Sequence, residues 1–326
     1  MIIEQESISL IRDTPISIKV YEAFHEQAHF HGECIEILFC VVGQAHIKIA
    51  YEEFDLEAGE IILIDAEDVH CVSSETGNLL ISFYIKQTAA IFNNENLVNM
   101  SFVCHKGEVH PSMELKIDYI HMLLLTMLYS YISPKYSLTE KNSIICDTAK
   151  LVMEIIERDF SVFYWMNDPN QFPNDAKERF EHIFTHIYNN VNNPITIKEL
   201  GKLEHINPNY LSQFLKKTSF LGLRGLRTYI RVYKAELMLL TTNLNASEIS
   251  YQCGFSDPKY FYKAFKQWYK HTPTDHRKIY RLYMKHAAPN KVYDFSHMEA
   301  ELMDWILYYQ SELQMKLSGI RKAGSA

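Results

Sequence analysis

Apolar and polar residues follow two different periods along this chain, and the period changes near residue 110. Between residues 16 and 85, short runs rich in β-branched and aromatic residues are separated by Gly32, Gly43, Gly59 and Gly77. Evenly spaced short strands with glycine turns predict an all-β barrel or sandwich. The clearest runs are ISIKVYEAF, CIEILFCVV, AHIKIAY, EIILIDA and LLISFYI.

Two amphipathic helices are predicted after the strands. Ile117, Ile120, Leu124 and Leu128 recur at three- and four-residue steps, which place them on one helix face. A second helix with the same periodicity follows Thr139. These helices either pack on the barrel or form a seam between two subunits, and the pattern is equally compatible with both arrangements.

The periodicity divides the chain into five segments and predicts an α+β fold. A polar stretch with two prolines, MNDPNQFPND, is the best candidate for a linker between domains. The predicted segments are a barrel (1–110), a helical dimerisation segment (111–165), a linker (166–178), an all-helical region (179–286) and a helical tail of unknown role (287–326).

The all-helical region contains an internal repeat. Residues 196–217 resemble residues 246–267: Leu200 matches Ile249 at an offset of 49, and Tyr210 matches Tyr260 at an offset of 50. The second copy therefore has one extra residue in its turn. Each copy is predicted to form a helix, a tight turn and a second helix, and a repeated pattern is much less probable by chance than a single one.

The second helix of each copy has one apolar face and one polar face. Phe261, Ala264, Phe265 and Trp268 share a face, so the aromatic stripe is predicted to face the core. Outward Asn, Gln and Lys side chains suit the edges of bases in a DNA major groove, and arginines on the connecting helix suit phosphates. The predicted DNA-binding residues are Asn209, Ser212, Gln213, Lys216, Arg231, Lys259, Tyr262, Lys263 and Lys266.

Charge is distributed unevenly and supports this interpretation. The whole chain has a formal net charge of −8, yet residues 179–285 hold 17 Lys and Arg against 7 Asp and Glu. A basic module inside an acidic chain indicates a polyanionic partner. The alternative is that two domains of opposite charge attract each other.

The second copy also resembles a known family. Residues 246–278 are similar to the signature of AraC/XylS-type transcription regulators, with matches that include Gly254, Phe255, Pro273 and Arg277. Ser250 replaces the usual alanine of that signature. The resemblance implies two helix-turn-helix units on one connecting helix. It also implies an activator that contacts RNA polymerase.

A second motif lies among the predicted strands. His29, His31, Glu36 and Gly43 have the spacing H-x-H-x4-E-x6-G, and His70 follows downstream. This pattern resembles the cupin barrel, although Glu57 stands where a proline is usual. Two histidines two residues apart on a strand point to the same face.

Three interpretations of the histidine motif remain open. His29, His31, Glu36 and His70 either bind a small-molecule effector such as a sugar, or hold a metal ion, or are polar residues with no ligand. Imidazole and carboxylate ligands suit Zn, Fe, Mn or Ni. The resemblance to the regulators favours the effector, so no cofactor is expected.

These patterns together predict a ligand-responsive DNA-binding transcription regulator that is not an enzyme. Its expected partners are double-stranded DNA, a small-molecule effector, a second copy of the chain and RNA polymerase. Six cysteines without CxxC spacing, no signal peptide and no apolar run of about 18 residues predict a cytoplasmic protein that does not span a membrane. The alternative is a metal-dependent cupin enzyme with a helical appendage.

Overall fold

Two facing sheets form the N-terminal domain. The computed structural model describes residues 2–92, 102, 114–160, 174–193, 195–219 and 222–323. The strand orders are β1-β3-β8-β5-β6 in the first sheet and β10-β2-β9-β4-β7 in the second. The strands are β1 (Glu4–Gln5), β2 (Ile16–Glu22), β3 (His29–Phe30), β4 (Cys34–Val42), β5 (Gln44–Ile49), β6 (Glu52–Glu57), β7 (Ile61–Ile64), β8 (His70–Ser73), β9 (Leu79–Lys86) and β10 (Lys291–Tyr293).

Alternation along β4 separates two environments. Ile35, Ile37 and Phe39 belong to the apolar layer on the outer face of the second sheet. Leu38 and Cys40 belong to the smaller layer that also takes in residues of the first sheet. Because both faces of this sheet are covered, β4 is an almost continuous apolar run. The predicted all-β domain is confirmed, although its described strands form two sheets rather than one closed barrel.

Three helices cover the outer face of the second sheet: α1 (Glu114–Ile132), α2 (Leu138–Asp159) and α10 (Phe295–Ala323). Leu124 and Ile145 from the first two helices are completely buried in the same apolar layer as the sheet residues. The structure therefore favours packing on the sheet for the apolar faces of these helices. A homodimer remains a prediction.

The structure describes seven helices in the C-terminal domain, and all but the last contribute to one or both of two apolar cores. Leu226 and Ile230 of the long connecting helix enter the first core, and Val232 and Leu239 of the same helix enter the second. The helices are α3 (Asn174–Asn189), α4 (Ile197–Leu203), α5 (Pro208–Ser219), α6 (Gly222–Thr241), α7 (Ala246–Gln252), α8 (Pro258–Tyr269) and α9 (Pro273–Lys285). This arrangement confirms the predicted α+β fold with two helix-turn-helix units. Among the helices that the structure describes, none has the length and apolarity to cross a membrane.

Two predicted boundaries differ from the described structure. Helix α3 begins at Asn174, inside the segment predicted as a linker (166–178), and residues 161–173 lie outside the described residues. The tail was predicted to be helical, but it begins with strand β10 before α10. The strand arises from pairing with β2, where Val292 lies opposite Tyr21, and this distant partner leaves no trace in the local pattern.

The tail brings the chain back to the N-terminal domain. Residues 287–323 add β10 to the second sheet and pack α10 against α1. The hydroxyl of Tyr309 donates to the carbonyl of Val41 at 2.7 Å, and Lys316 pairs with Asp118 at 2.7 Å. The C-terminal domain is thus tied to the N-terminal domain at both of its ends.

The buried face of α10 generates a stability prediction. We expect Ile306→Ala to lower the free energy of unfolding by about 2–5 kcal/mol, because Ile306 is 1% exposed and its truncation leaves a cavity. Its neighbour Leu307 is 55% exposed and serves as the control, so Leu307→Ala should change stability by about 0.5 kcal/mol or less. Urea unfolding of both variants measures the difference. Equal effects would show that α10 does not bury this face in solution.

Candidate functional site

The two helix-turn-helix units begin with the same cap. The hydroxyl of Thr196 accepts a hydrogen bond from the Glu199 amide, and the Glu199 carboxylate accepts from the Thr196 amide. Asn245 and Glu248 form the same reciprocal pair at the start of α7. The second pair follows the first at an offset of 49 residues, which matches the offset in the sequence repeat. The local chemistry of the repeat therefore produces matching helix starts.

The second helices of the two units also begin with matching caps. Asn207 accepts a hydrogen bond from the amide of Asn209 at 2.8 Å, and Asp257 accepts from the amide of Lys259 at the same distance. These pairs are 50 residues apart, as the sequence predicted for the segments after the turn. We call α5 and α8 the reading helices.

The turns of the two units require glycine at two positions. A Cβ atom on Gly201 would lie 2.7 Å from the carbonyl oxygen of Ile206, so the first turn leaves no room for a side chain. Gly254 has a φ of +77°, and a Cβ there would meet the guanidinium of Arg231 and the carbonyl oxygen of Val191 within 3 Å. Glycine at both positions permits close approach of the helices.

The inward and outward faces of the reading helices lie as the sequence predicted. The inward residues of α8, Phe261 and Phe265, are completely buried. The outward side chains are solvent-accessible, and Ser212 among them is half-buried. Those outward side chains are Asn209, Ser212, Gln213 and Lys216 on α5, and Lys259, Tyr262, Lys263 and Lys266 on α8. Their contacts with DNA remain predictions.

Arg231 does not lie with the other predicted DNA-binding residues. Its side chain is half-buried, and its guanidinium donates two hydrogen bonds to the carbonyl of Val191 at 3.2 and 3.3 Å. The structure therefore gives Arg231 a role in joining the two units, and its predicted contact with phosphate stays a prediction. Its position on the connecting helix did not reveal this contact, because Val191 lies 40 residues earlier in the sequence.

A cluster of polar side chains lies between the two sheets of the N-terminal domain. His29 on β3 and His70 on β8 are register partners in the first sheet, and Glu36 on β4 faces them from the second. His31 follows β3. The structure brings all four predicted residues together, with one ligand atom from each lying within 4.8 Å of the others. We call these four residues the polar cluster.

Glu36 is the centre of the polar cluster. Its Oε2 lies 2.9 Å from Nε2 of His31 and 3.1 Å from Nε2 of His70. All three side chains are at most 2% exposed. Burial alone would raise the pKa of Glu36, but the hydrogen bonds from the two histidines outweigh burial and hold that pKa well below its usual range. The cluster therefore carries a buried negative charge.

The backbone fixes which nitrogen of two imidazoles points at the cluster. Nδ1 of His29 lies 2.9 Å from the carbonyl of Gln27, and Nδ1 of His70 lies 2.9 Å from the carbonyl of Asp68. Because a carbonyl oxygen only accepts, both Nδ1 atoms carry the hydrogen. The Nε2 atom of His70 then needs a second proton, or a cation, to face the carboxylate of Glu36. Burial lowers the pKa of His70, but contact with Glu36 raises it above its ordinary value, which is consistent with the added proton.

Sequence analysis missed three charged residues beside the polar cluster. Lys19 donates to Glu6 at 3.0 Å and lies 3.9 Å from Glu26. Glu6 in turn lies 3.4 Å from Nε2 of His29. Lys19 could have been identified from the sequence, because it follows Ile18 on β2 and alternate residues of this strand face the interior. Glu6 and Glu26 lie outside long strands and gave no such signal.

Comparison with known proteins identifies the C-terminal domain. Residues 200–279 match the family model described as a helix-turn-helix domain. The chain is 29% identical over 102 residues to the lactose operon transcription activator of Staphylococcus xylosus. It is 21% identical over 246 residues to the Msm operon regulatory protein of Streptococcus mutans. The chain carries the DNA-binding domain of AraC-type transcription regulators.

The two matches differ in length: the alignment covers 31% of this chain for the Staphylococcus xylosus activator and 74% for the Streptococcus mutans regulator. The alignment spans 37% of the Staphylococcus xylosus activator and 83% of the Streptococcus mutans regulator. Among solved structures, ToxT of Vibrio cholerae O395 aligns with 81% of this chain and 98% of its own, at 14% identity and a TM-score of 0.41. The predicted resemblance to AraC-type regulators is confirmed for the DNA-binding domain.

The reading helices of the AraC-type domain generate a binding prediction. If Gln213 and Lys263 read bases, replacing either by alanine should weaken binding to a specific site by about 1–3 kcal/mol. Lys135, an exposed lysine of the α1–α2 loop, is the control, and Lys135→Ala should bind DNA like the wild type. Fluorescence anisotropy with a selected DNA site measures all three. Wild-type affinity in both reading-helix variants would place the recognition face elsewhere.

Proposed function

We propose that this chain regulates transcription by inserting its two reading helices into successive major grooves of one DNA duplex, in response to a ligand bound at the polar cluster. The observation that carries the proposal is the pair of matching helix-turn-helix units with solvent-accessible polar faces. Their inward faces form two separate apolar cores, so the outward side chains are not needed for folding.

The connecting helix suits this role. Helix α6 has 20 residues, which span about 30 Å at 1.5 Å per residue. Successive major grooves on one face of a duplex lie about 34 Å apart. A single rigid helix between the two units therefore has the right length to present both reading helices to the same duplex.

The excess of positive charge in residues 179–285 supports binding to the phosphate backbone. Each phosphate that a protein neutralises releases counterions, so affinity falls steeply as the salt concentration rises. An electrostatic contribution of this kind positions the domain, and the reading helices then select the sequence.

The second half of the proposal concerns the ligand of the polar cluster. Imidazoles and carboxylates can bond the hydroxyl groups of a sugar, and the chain is similar to regulators whose names refer to a lactose and an Msm operon. We propose a sugar as the effector and activation of transcription as the outcome. A homodimer that contacts RNA polymerase in the cytoplasm completes the proposal, in line with the resemblance to AraC-type regulators.

A metal ion is the second candidate ligand, favoured by one specific observation. Nδ1 of His31 is buried without a hydrogen-bond partner, and Nε2 of His70 faces a carboxylate with its other nitrogen already bonded to a carbonyl. Three imidazoles and one carboxylate suit Zn, Fe, Mn or Ni. His29, His31, Glu36 and His70 would hold the ion, and the carbonyls of Gln27 and Asp68 would orient two of the rings. A metal ion bound together with turnover of a substrate would instead favour the cupin enzyme.

The phosphate argument generates a prediction about salt. We expect the affinity of the full chain for its DNA site to fall by at least about 40-fold between 50 and 200 mM salt, which corresponds to three neutralised phosphates. Anisotropy titrations over this range measure the slope. An affinity that is indifferent to salt would contradict the assignment of residues 179–285 to DNA.

The polar cluster generates a prediction about ligands. Native mass spectrometry of the purified chain and calorimetric titration with lactose, Zn²⁺, Mn²⁺ and Ni²⁺ should reveal one ligand per chain. A ligand present at 100 times its Kd stabilises the fold by about 2.7 kcal/mol, so the Tm should rise. We expect His31→Ala to lose the binding and the rise in Tm, and His46→Ala, whose side chain on β5 is 39% exposed and pairs with Asp55, to keep them. Equal binding in the two variants would show that the ligand binds outside the polar cluster.

A further inference from the structure

The loop between β7 and β8 is bonded to the polar cluster. The carbonyl of Ala66 accepts hydrogen bonds from the amides of His31 at 3.1 Å and Gly32 at 2.8 Å. The carbonyl of Asp68 accepts from Nδ1 of His70 at 2.9 Å. We call residues 65–69 the coupling loop. Its backbone position depends directly on where the two histidines lie.

The same loop contacts the C-terminal domain on its other side, through tyrosine hydroxyls from three different helices. Tyr233 of α6 donates to the carboxylate of Asp68 at 3.2 Å, and Tyr280 of α9 donates to the carbonyl of Val69 at 2.8 Å. Tyr188 of α3 donates to the carboxylate of Glu67. The coupling loop therefore touches the connecting helix and elements on both sides of it.

These contacts fall on helices that belong to different parts of the C-terminal domain. The first and second apolar cores are separate and share α6, and Arg231 bonds Val191 across the junction. Tyr188 belongs to the first core, whereas Tyr280 packs beside the N-terminal domain together with Val69. A shift of the coupling loop would therefore reach the two units through different contacts.

We propose that the coupling loop transmits the state of the polar cluster to the relative placement of the two reading helices. This inference rests on the proposed function, and it names the regulation of the same site. A ligand that bonds His31 and His70 in place of Glu36 moves the two histidines that hold the loop. Val69 and Tyr280 are each 1% exposed, so no water is at hand to replace a broken bond, and the loop has to move as a unit with its tyrosine partners.

The experiment changes the cluster without needing the natural ligand. Glu36→Gln keeps the size of the side chain and removes the charge that both histidines face. We combine it with the double substitution Tyr188→Phe and Tyr233→Phe, which removes two hydroxyl contacts with the coupling loop. The matched control is Tyr283→Phe. Tyr283 also bonds the N-terminal domain, but it does so through Glu53 on β6 at 3.0 Å, away from the loop.

The readout is the affinity of each full-length variant for the selected DNA site. We expect Glu36→Gln to change the Kd at least about fivefold in the wild-type and Tyr283→Phe backgrounds, since allosteric coupling is typically 5- to 150-fold. In the Tyr188→Phe and Tyr233→Phe background the same substitution should change the Kd less than twofold. An equal change in all three backgrounds, or no change in the wild type, would overturn the proposal.

Hydrogen exchange without DNA separates this proposal from the proposed function. We expect Glu36→Gln to speed exchange at the amides of His31 and Gly32, and in peptides that contain Tyr188 and Tyr233. Faster exchange that is confined to the N-terminal domain would overturn the coupling. Faster exchange in both domains of a protein that binds no DNA would retain the coupling and overturn the regulator instead.

Discussion

Helix α6 is the element on which the rest of the C-terminal domain depends. Its two ends enter different apolar cores, and its middle reaches the N-terminal domain through Tyr233 and Asp68. Near its end, the carbonyl of Leu240 accepts a hydrogen bond from the amide of Ile3, and the carbonyl of Leu239 accepts from Arg277 at 2.7 Å. One helix therefore joins the two reading helices and also connects them to the N-terminal domain.

The N-terminal domain combines two kinds of interior. One part of the space between the sheets is apolar, and the other holds the polar cluster with its charged neighbours. Buried charges are costly unless they are paired, so a protein that places Glu36 among three imidazoles has to satisfy them with protons or with a ligand. In the proposed regulation, this requirement makes the position of the histidines, and of the loop they hold, dependent on the ligand of the cluster.

Much of the DNA-binding domain was predictable from the sequence because its determinants are local. Helix caps, turn glycines and a 3.6-residue period act over a few residues, and the repeat supplied two independent readings of the same pattern. The residues of the polar cluster were predictable for a similar reason, since His29, His31 and Glu36 lie within one short stretch. His70 was found through motif resemblance instead.

The contacts that sequence analysis missed are non-local, even where one partner, Lys19, lies on a strand with a recognisable local pattern. Lys19 and Glu26 become neighbours of the polar cluster only when the sheets face each other. Arg231 turns inward because the carbonyl of Val191, from another helix end, lies within reach. Strand β10 exists because β2 offers a free edge more than 260 residues earlier in the chain. None of these partners can be identified from periodicity, because each depends on tertiary contacts.

The central claim is that the two reading helices occupy neighbouring major grooves of a single duplex. Hydroxyl-radical footprinting of the full chain on a selected DNA site tests it most directly. The account predicts two protected patches on one face of the DNA, with centres about 10 base pairs apart. A single patch, or two patches on opposite faces of the duplex, would contradict it.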